Sequence, residues 1–121
     1  MRFISESGYS VKLGQEEAHQ KWLEQNEAAL AASMPEGVKY LGTFVTVAST
    51  EKQSGFYKTY LELDSYGAQD RLAAANKDAS SDFGRLMREF DAFGDYDYHA
   101  PWSSGLYKAV VDATIFDPPT S

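Results

Sequence analysis

Apolar residues recur along this chain with two different periods. From Arg2 to Leu13 they alternate, placing Phe3, Tyr9, Val11 and Leu13 on one side. That spacing predicts a β-strand, with Gly8 marking a bulge. Gly14 breaks the pattern. From Gln15 to Met34 the period becomes helical, and Trp22, Leu23, Ala29, Leu30 and Met34 form an apolar stripe. Glu16 and Glu17 fall in the first turn, where the helix dipole favours acids. Glu17 and Lys21 are spaced as a supporting pair, and Pro35-Glu36-Gly37 ends the helix.

The pattern then returns to strand. Val38 to Ser49 is rich in β-branched and aromatic residues, Thr50 to Gly55 is a hairpin-sized loop, and Phe56 to Asp64 runs back. Ser65 is placed to cap a helix over Tyr66 to Asn76. Ser80-Ser81-Asp82 offers another cap, before Phe83, Leu86, Met87 and Phe90 at helical spacing. Gly94 closes that stretch. Asp95 to Gly105 reads as an aromatic-rich loop, Leu106 to Phe116 as the last strand, and Pro118-Pro119 as its stop. The order strand–helix–strand–strand–helix–strand predicts an α+β, ferredoxin-like βαββαβ fold with an antiparallel four-stranded sheet, in a single domain spanning residues 1–121.

Alternation gives every strand two sets of side chains. The odd set contains Val11, Leu13, Thr43, Val45, Val47, Thr59, Leu61, Leu63 and Ala109, a small aliphatic face suited to lie under helices. The even set contains Ile4, Glu6, Ser10, Tyr40, Phe44, Lys58, Tyr60, Glu62 and Lys108, mixing rings with ionisable groups. Such a face is too polar for a core and too aromatic for a plain solvated surface. It predicts cover by a second subunit, against the blander reading of an open face with scattered rings.

Composition narrows the function classes. The chain has 121 residues, 43% of them hydrophobic and 14% aromatic, so it can build a core. Its formal net charge of −7 and lack of a basic cluster argue against nucleic acid and against anionic membranes. The absence of cysteine excludes disulfides, thiolate catalysis and Cys-based zinc sites. No signal-like segment or membrane-length apolar run is evident, and a cytoplasmic location is expected.

Few residues carry specific chemistry. His19 lies in the apolar stripe of the first helix with Asn26 on the same side, a pattern that predicts buried hydrogen bonding first and a general base second. Glu16 and His19 make one Glu-x-x-His, but a di-iron site needs a second copy and more carboxylates, so no metal is expected. His99 sits in the aromatic loop beside Tyr98 and Trp102. Lys58, Glu62, Lys108 and Asp112 fall on the even face and predict cross-strand ion pairs. The glycine-rich nucleotide loops and the serine hydrolase elbow are missing.

The stretch Gly37 to Phe93, and within it YLELDSYGAQDRLAAANKD from Tyr60 to Asp78, resembles the strand–Asp-Ser–helix passage of NIPSNAP-type domains in the dimeric α/β-barrel superfamily. The resemblance implies a homodimer packed sheet to sheet around a cavity, and no cofactor. It implies binding of a small apolar or aromatic molecule, with cofactor-independent oxygenation or polyketide-type cyclisation of an aromatic or enolic substrate as the reaction. On that reading Tyr40, Phe44, Lys58 and Tyr60 line the cavity, Trp102 covers it, and His99 is the catalytic residue. The Asn–Trp–His trio of haem-degrading members has no counterpart, since the first strand offers Ser5, Ser7 and Ser10. The alternative is a non-catalytic dimeric binding or assembly module, because the fold hosts many functions.

Overall fold

The computed structural model describes residues 2–50, 56–97 and 100–110. Strand β1 (Phe3–Val11) leads to helix α1 (Glu16–Ala32), then to strands β2 (Val38–Val45) and β3 (Tyr57–Leu63). Helices α2 (Ala68–Lys77) and α3 (Asp82–Asp91) follow, then strands β4 (Gly94–Asp95) and β5 (Ser103–Lys108). All pairings are antiparallel. β1 is central, flanked by β3 on one side and by β4 and β5 on the other, with β2 outside β3. This is the expected ferredoxin-like α+β sheet, with a two-residue strand added where a loop was expected.

Local signals explain most boundaries. α1 begins with Glu16 and Glu17 and ends at Ser33, whose backbone N–H donates to the Ala29 and Leu30 carbonyls. Ser81 caps α3 as its sequence predicts, its hydroxyl accepting from the Gly84 N–H at 2.9 Å. Ser65 does not cap α2, which starts after Gly67 with no side-chain cap.

The helices cover one face of the sheet. Tyr9, Trp22, Leu30, Phe83, Leu86 and Phe90 form the main buried cluster, and Phe3, Leu63 and Ala68 form a second one at the other end. The Trp22 indole N–H donates to Glu89 at 3.0 Å, tying α1 to α3.

Three expectations about faces and bulges change. Gly8 pairs in regular register with Lys58 and Ser103, so no bulge lies there. The irregularity falls between Tyr40 and Gly42, where Gly42 takes a φ of +142°. Leu41 becomes the extra residue, and the parity of the strand reverses: Tyr40 joins the helix-covered face while Phe44 stays on the other. β5 starts at Ser103, three residues before the predicted Leu106, and pairs Lys108 with Phe3. Lys108 therefore belongs to the helix side, where its ammonium lies 5.9 Å from the Phe3 ring centre, and Tyr107 takes the outer side opposite Ile4. Leu13 and Val47 lie beyond the paired strands and are exposed.

Candidate functional site

The two faces of the sheet carry two different environments. Between the inner face and the helices lies a cavity of about 580 Å³, within the range of about 300–1,000 Å³ common for small-molecule sites. Its floor is the sheet, where Ser5, Ser7 and Thr59 occupy inward positions that an ordinary core would fill with aliphatic groups. Its roof is mostly apolar, with Leu30 of α1, Leu72 of α2 and Met87 and Phe90 of α3, and the amides of Gln69 and Asn76 of α2 among them. Asp91, Tyr96, Trp102 and Ser103 also line it.

A ladder of hydroxyl groups crosses the floor. The Tyr40 hydroxyl donates to Glu27 of α1 at 2.7 Å and lies 2.6 Å from the Thr43 hydroxyl. Thr43 is 2.9 Å from Thr59, which ends the ladder. Separately, the Tyr9 hydroxyl lies 2.7 Å from Nε2 of His19. Burial pushes both the Tyr9 and the Tyr40 phenol well above the ordinary value, because neither can shed its proton into a dry interior at low cost.

His19 is 1% exposed and ringed by aromatic groups, the nearest being Tyr57 at 4.7 Å between centroids. Burial lowers its pKa and keeps the imidazole neutral. Nδ1 is buried with no hydrogen-bond partner. Asn26 donates to the Trp22 carbonyl on its own helix. His19 is thus held within the core packing, as its position predicts, while Asn26 is half-buried and bonded to its own helix.

At the cavity wall Tyr96 and Asp91 interact through their side chains. Partial burial raises the Asp91 carboxyl, and the Arg88 guanidinium and the Tyr96 hydroxyl pull it back. Among the described residues no group of three potential ligands could hold a metal ion.

The outer face is organised around Glu6. Its carboxylate accepts from the Lys58 ammonium at 3.3 Å and from the Tyr60 hydroxyl at 3.0 Å. Burial raises the Tyr60 phenol, and its bond to Glu6 adds to the shift. Lys58 is only 9% exposed, while Phe44 (53%) and Tyr107 (51%) stand out into solvent. The Phe44 ring packs edge-on against Tyr60 at 5.7 Å.

The structure therefore divides the predicted site residues. Tyr40 and Trp102 line the inner cavity, whereas Phe44, Lys58 and Tyr60 lie together on the outer face beside a broad, open groove. His99 lies outside the described residues, as do Tyr98 and Asp112. The groups that sequence reasoning missed are Ser5, Ser7, Tyr9, Thr59 and Asp91. One signal was available: serines at alternate positions of β1, between the inward rings of Phe3 and Tyr9.

No protein-family model matches the sequence, and no curated protein does. Solved structures do match. A NIPSNAP-family protein from Agrobacterium tumefaciens superposes with a TM-score of 0.63 at 12% identity, over 96% of this chain and 89% of that one. A DABB-family protein with a ferredoxin-like fold from Mesorhizobium loti gives 0.59 at 13% identity, over 89% and 96%. A protein from Bordetella bronchiseptica, provisionally named an antibiotic biosynthesis monooxygenase, gives 0.60 at 10% identity, over 90% and 97%. The likeness is one of fold, and it extends over almost the whole chain: this protein has the NIPSNAP-like, ferredoxin-like α+β architecture that its Gly37–Phe93 stretch resembles.

Proposed function

We propose that this chain binds a small, flat, largely apolar molecule carrying a phenolic or enolic oxygen in the cavity between its sheet and its helices. The observation that carries this reading is the cavity itself, with hydroxyl groups on the sheet side and mostly hydrocarbon on the helix side. A ring with oxygen along one edge matches both walls, since the hydroxyls find partners and the apolar roof is removed from water. Proton removal from such a molecule is the first step of cofactor-independent oxygenation and of polyketide-type cyclisation alike. The provisional name of the Bordetella neighbour supports the oxygenase side of this pair. His99 remains our proposed catalytic residue, and Trp102 the ring that covers the ligand.

The outer face supports a homodimer in this proposal. Phe44 and Tyr107 expose rings on either side of the Glu6–Lys58–Tyr60 cluster, which is costly to leave facing water and matches burial against a second copy. The same observation favours the second reading, a dimeric assembly module whose cavity has no ligand.

A fluorescence titration with 2-naphthol separates the two. Trp102 stands in the cavity lining, so saturable quenching that Trp102→Phe removes supports the binding function. A dimer in which neither 2-naphthol nor related aromatic or polyketide-like compounds change fluorescence or melting leaves the assembly module as the function.

A further inference from the structure

One residue in the cavity lining differs from the rest in charge. Among the described residues around the cavity, Asp91 is the only one that is fully charged at neutral pH; the others carry apolar, hydroxyl or amide groups. Asp91 lines the cavity and remains open to solvent, as do Tyr96 and Trp102, so it stands where the cavity meets water.

Helix stability and ion pairing do not account for a carboxylate at this point. Asp91 is the last residue of α3, at the negative end of the helix dipole, where a cation is favoured. None of the ion pairs among the described residues includes it. Arg88, nearly one turn earlier, directs its Nη1 to the carbonyls of Asn76 and Gly84. Arg88 and Tyr96 are the groups that act on the carboxyl, and part-burial raises its pKa more than these two lower it. A carboxylate that is partly desolvated is a stronger base than one in water.

The rest of the lining complements this acceptor. Ser5 and Ser7 on the floor and the Gln69 and Asn76 amides of α2 all have protons to donate. One charged acceptor and several neutral donors around an apolar cavity suit the removal of a proton beside a carbonyl. The base takes the proton, and the donors hold the oxygen that gains charge.

We infer that Asp91 is a catalytic base of this cavity, taking a proton from the carbon next to the carbonyl of a flat, enolisable ketone. The C–H bond breaks, its electron pair becomes the enolate double bond, and the carbonyl pair moves onto oxygen. The proton rests on the Asp91 carboxylate until it returns to carbon or exchanges with water at the cavity mouth. Asp91 joins His99 as a catalytic residue of the proposed site. The inference rests on the cavity-binding reading and deepens it by naming the group that takes the first proton and the carbon acid that gives it.

The test uses 2-tetralone, a largely flat ketone with acidic protons at C1, in deuterated buffer. Proton NMR follows the loss of the C1 signal, and Trp102 fluorescence follows binding. The wild type should exchange these protons faster than buffer alone. Asp91→Asn should cut the protein-catalysed rate by about a hundredfold, with the affinity within about threefold of the wild type. Asp91→Glu, which keeps the carboxylate, should retain more of the rate than Asp91→Asn. Thermal melting controls for folding: Asp91→Asn should melt no lower than the wild type, because it removes an acid from the wrong end of a helix. Saturable binding with no exchange above buffer, or Asp91→Asn exchanging as fast as the wild type, overturns the base and leaves cavity binding standing. A lower melting point in Asp91→Asn gives the carboxylate a structural role and overturns the base as well. Failure of 2-tetralone to change fluorescence or melting removes the cavity reading, and the base with it.

Discussion

Nε2 of His19 lies 2.7 Å from the Tyr9 hydroxyl, a contact that joins the first helix to the central strand in the middle of the core. Both partners are more than nine-tenths buried. The same imidazole packs against Tyr57, Phe90 and Phe93, so it is a core ring and a hydrogen-bond partner at once.

His19→Ala removes that ring and strands a buried phenol hydroxyl. A cavity and an unpaired polar group each carry a cost, and together they should lower stability by about 2–4 kcal/mol. Urea unfolding followed by circular dichroism checks this. An unchanged midpoint would mean that His19 is not held in the core as described.

The pH dependence of stability follows from the same residue. Burial depresses the folded-state pKa of His19 below the ordinary 6.5. Between those two values the unfolded chain binds a proton that the folded chain does not, so stability falls as pH falls through that window. Thermal melts at a series of pH values should show this slope in the wild type and a shallower one in His19→Gln, which cannot titrate.

Gly37 turns the chain from α1 into β2 with a φ of +83°, and an added Cβ would lie 2.6 Å from Asp64 Oδ1, within the Arg71–Asp64 pair. The exposed side chains can move aside, but the backbone angle cannot relax without moving the turn. Gly37→Ala should cost about 1–2 kcal/mol, read from the denaturation midpoint. A stabilised variant would show that this turn adapts freely.

The two faces of the sheet should answer to different substitutions. Trp102→Ala should weaken 2-naphthol binding by about threefold to tenfold, from lost aromatic contact, and leave the mass in sedimentation at about twice the 13.4 kDa of one chain. Phe44→Lys sets a second cation beside Lys58, its cross-strand partner, and should yield monomers while leaving the cavity able to bind. Sedimentation velocity and the fluorescence titration, run on both variants, decide the matter. If Phe44→Lys abolishes binding and keeps the dimer, the assignment of the faces is reversed.

Much of this architecture is legible along the chain, because the signals involved are local. The helical stripe of Trp22, Leu23 and Leu30, the breaks at Gly14 and Pro35, the cap at Ser81 and the alternation around Phe3 and Tyr9 each depend on residues a few positions apart. So does the burial of His19, read from its place in an apolar stripe. Tertiary structure decided which strand positions share a face. A bulge adds one residue to one strand against its partner, and nothing local distinguishes Gly8, where none occurs, from Gly42, where Leu41 is displaced. That single residue moved Tyr40 from the company of Phe44 to that of Thr43 and Thr59, and so created the ladder. The start of β5 did the same for Lys108 and Tyr107. The cavity was hidden for a related reason: Ser5 and Ser7 read as strand residues in any context, and only the standing of three helices above them leaves the space that their hydroxyls face.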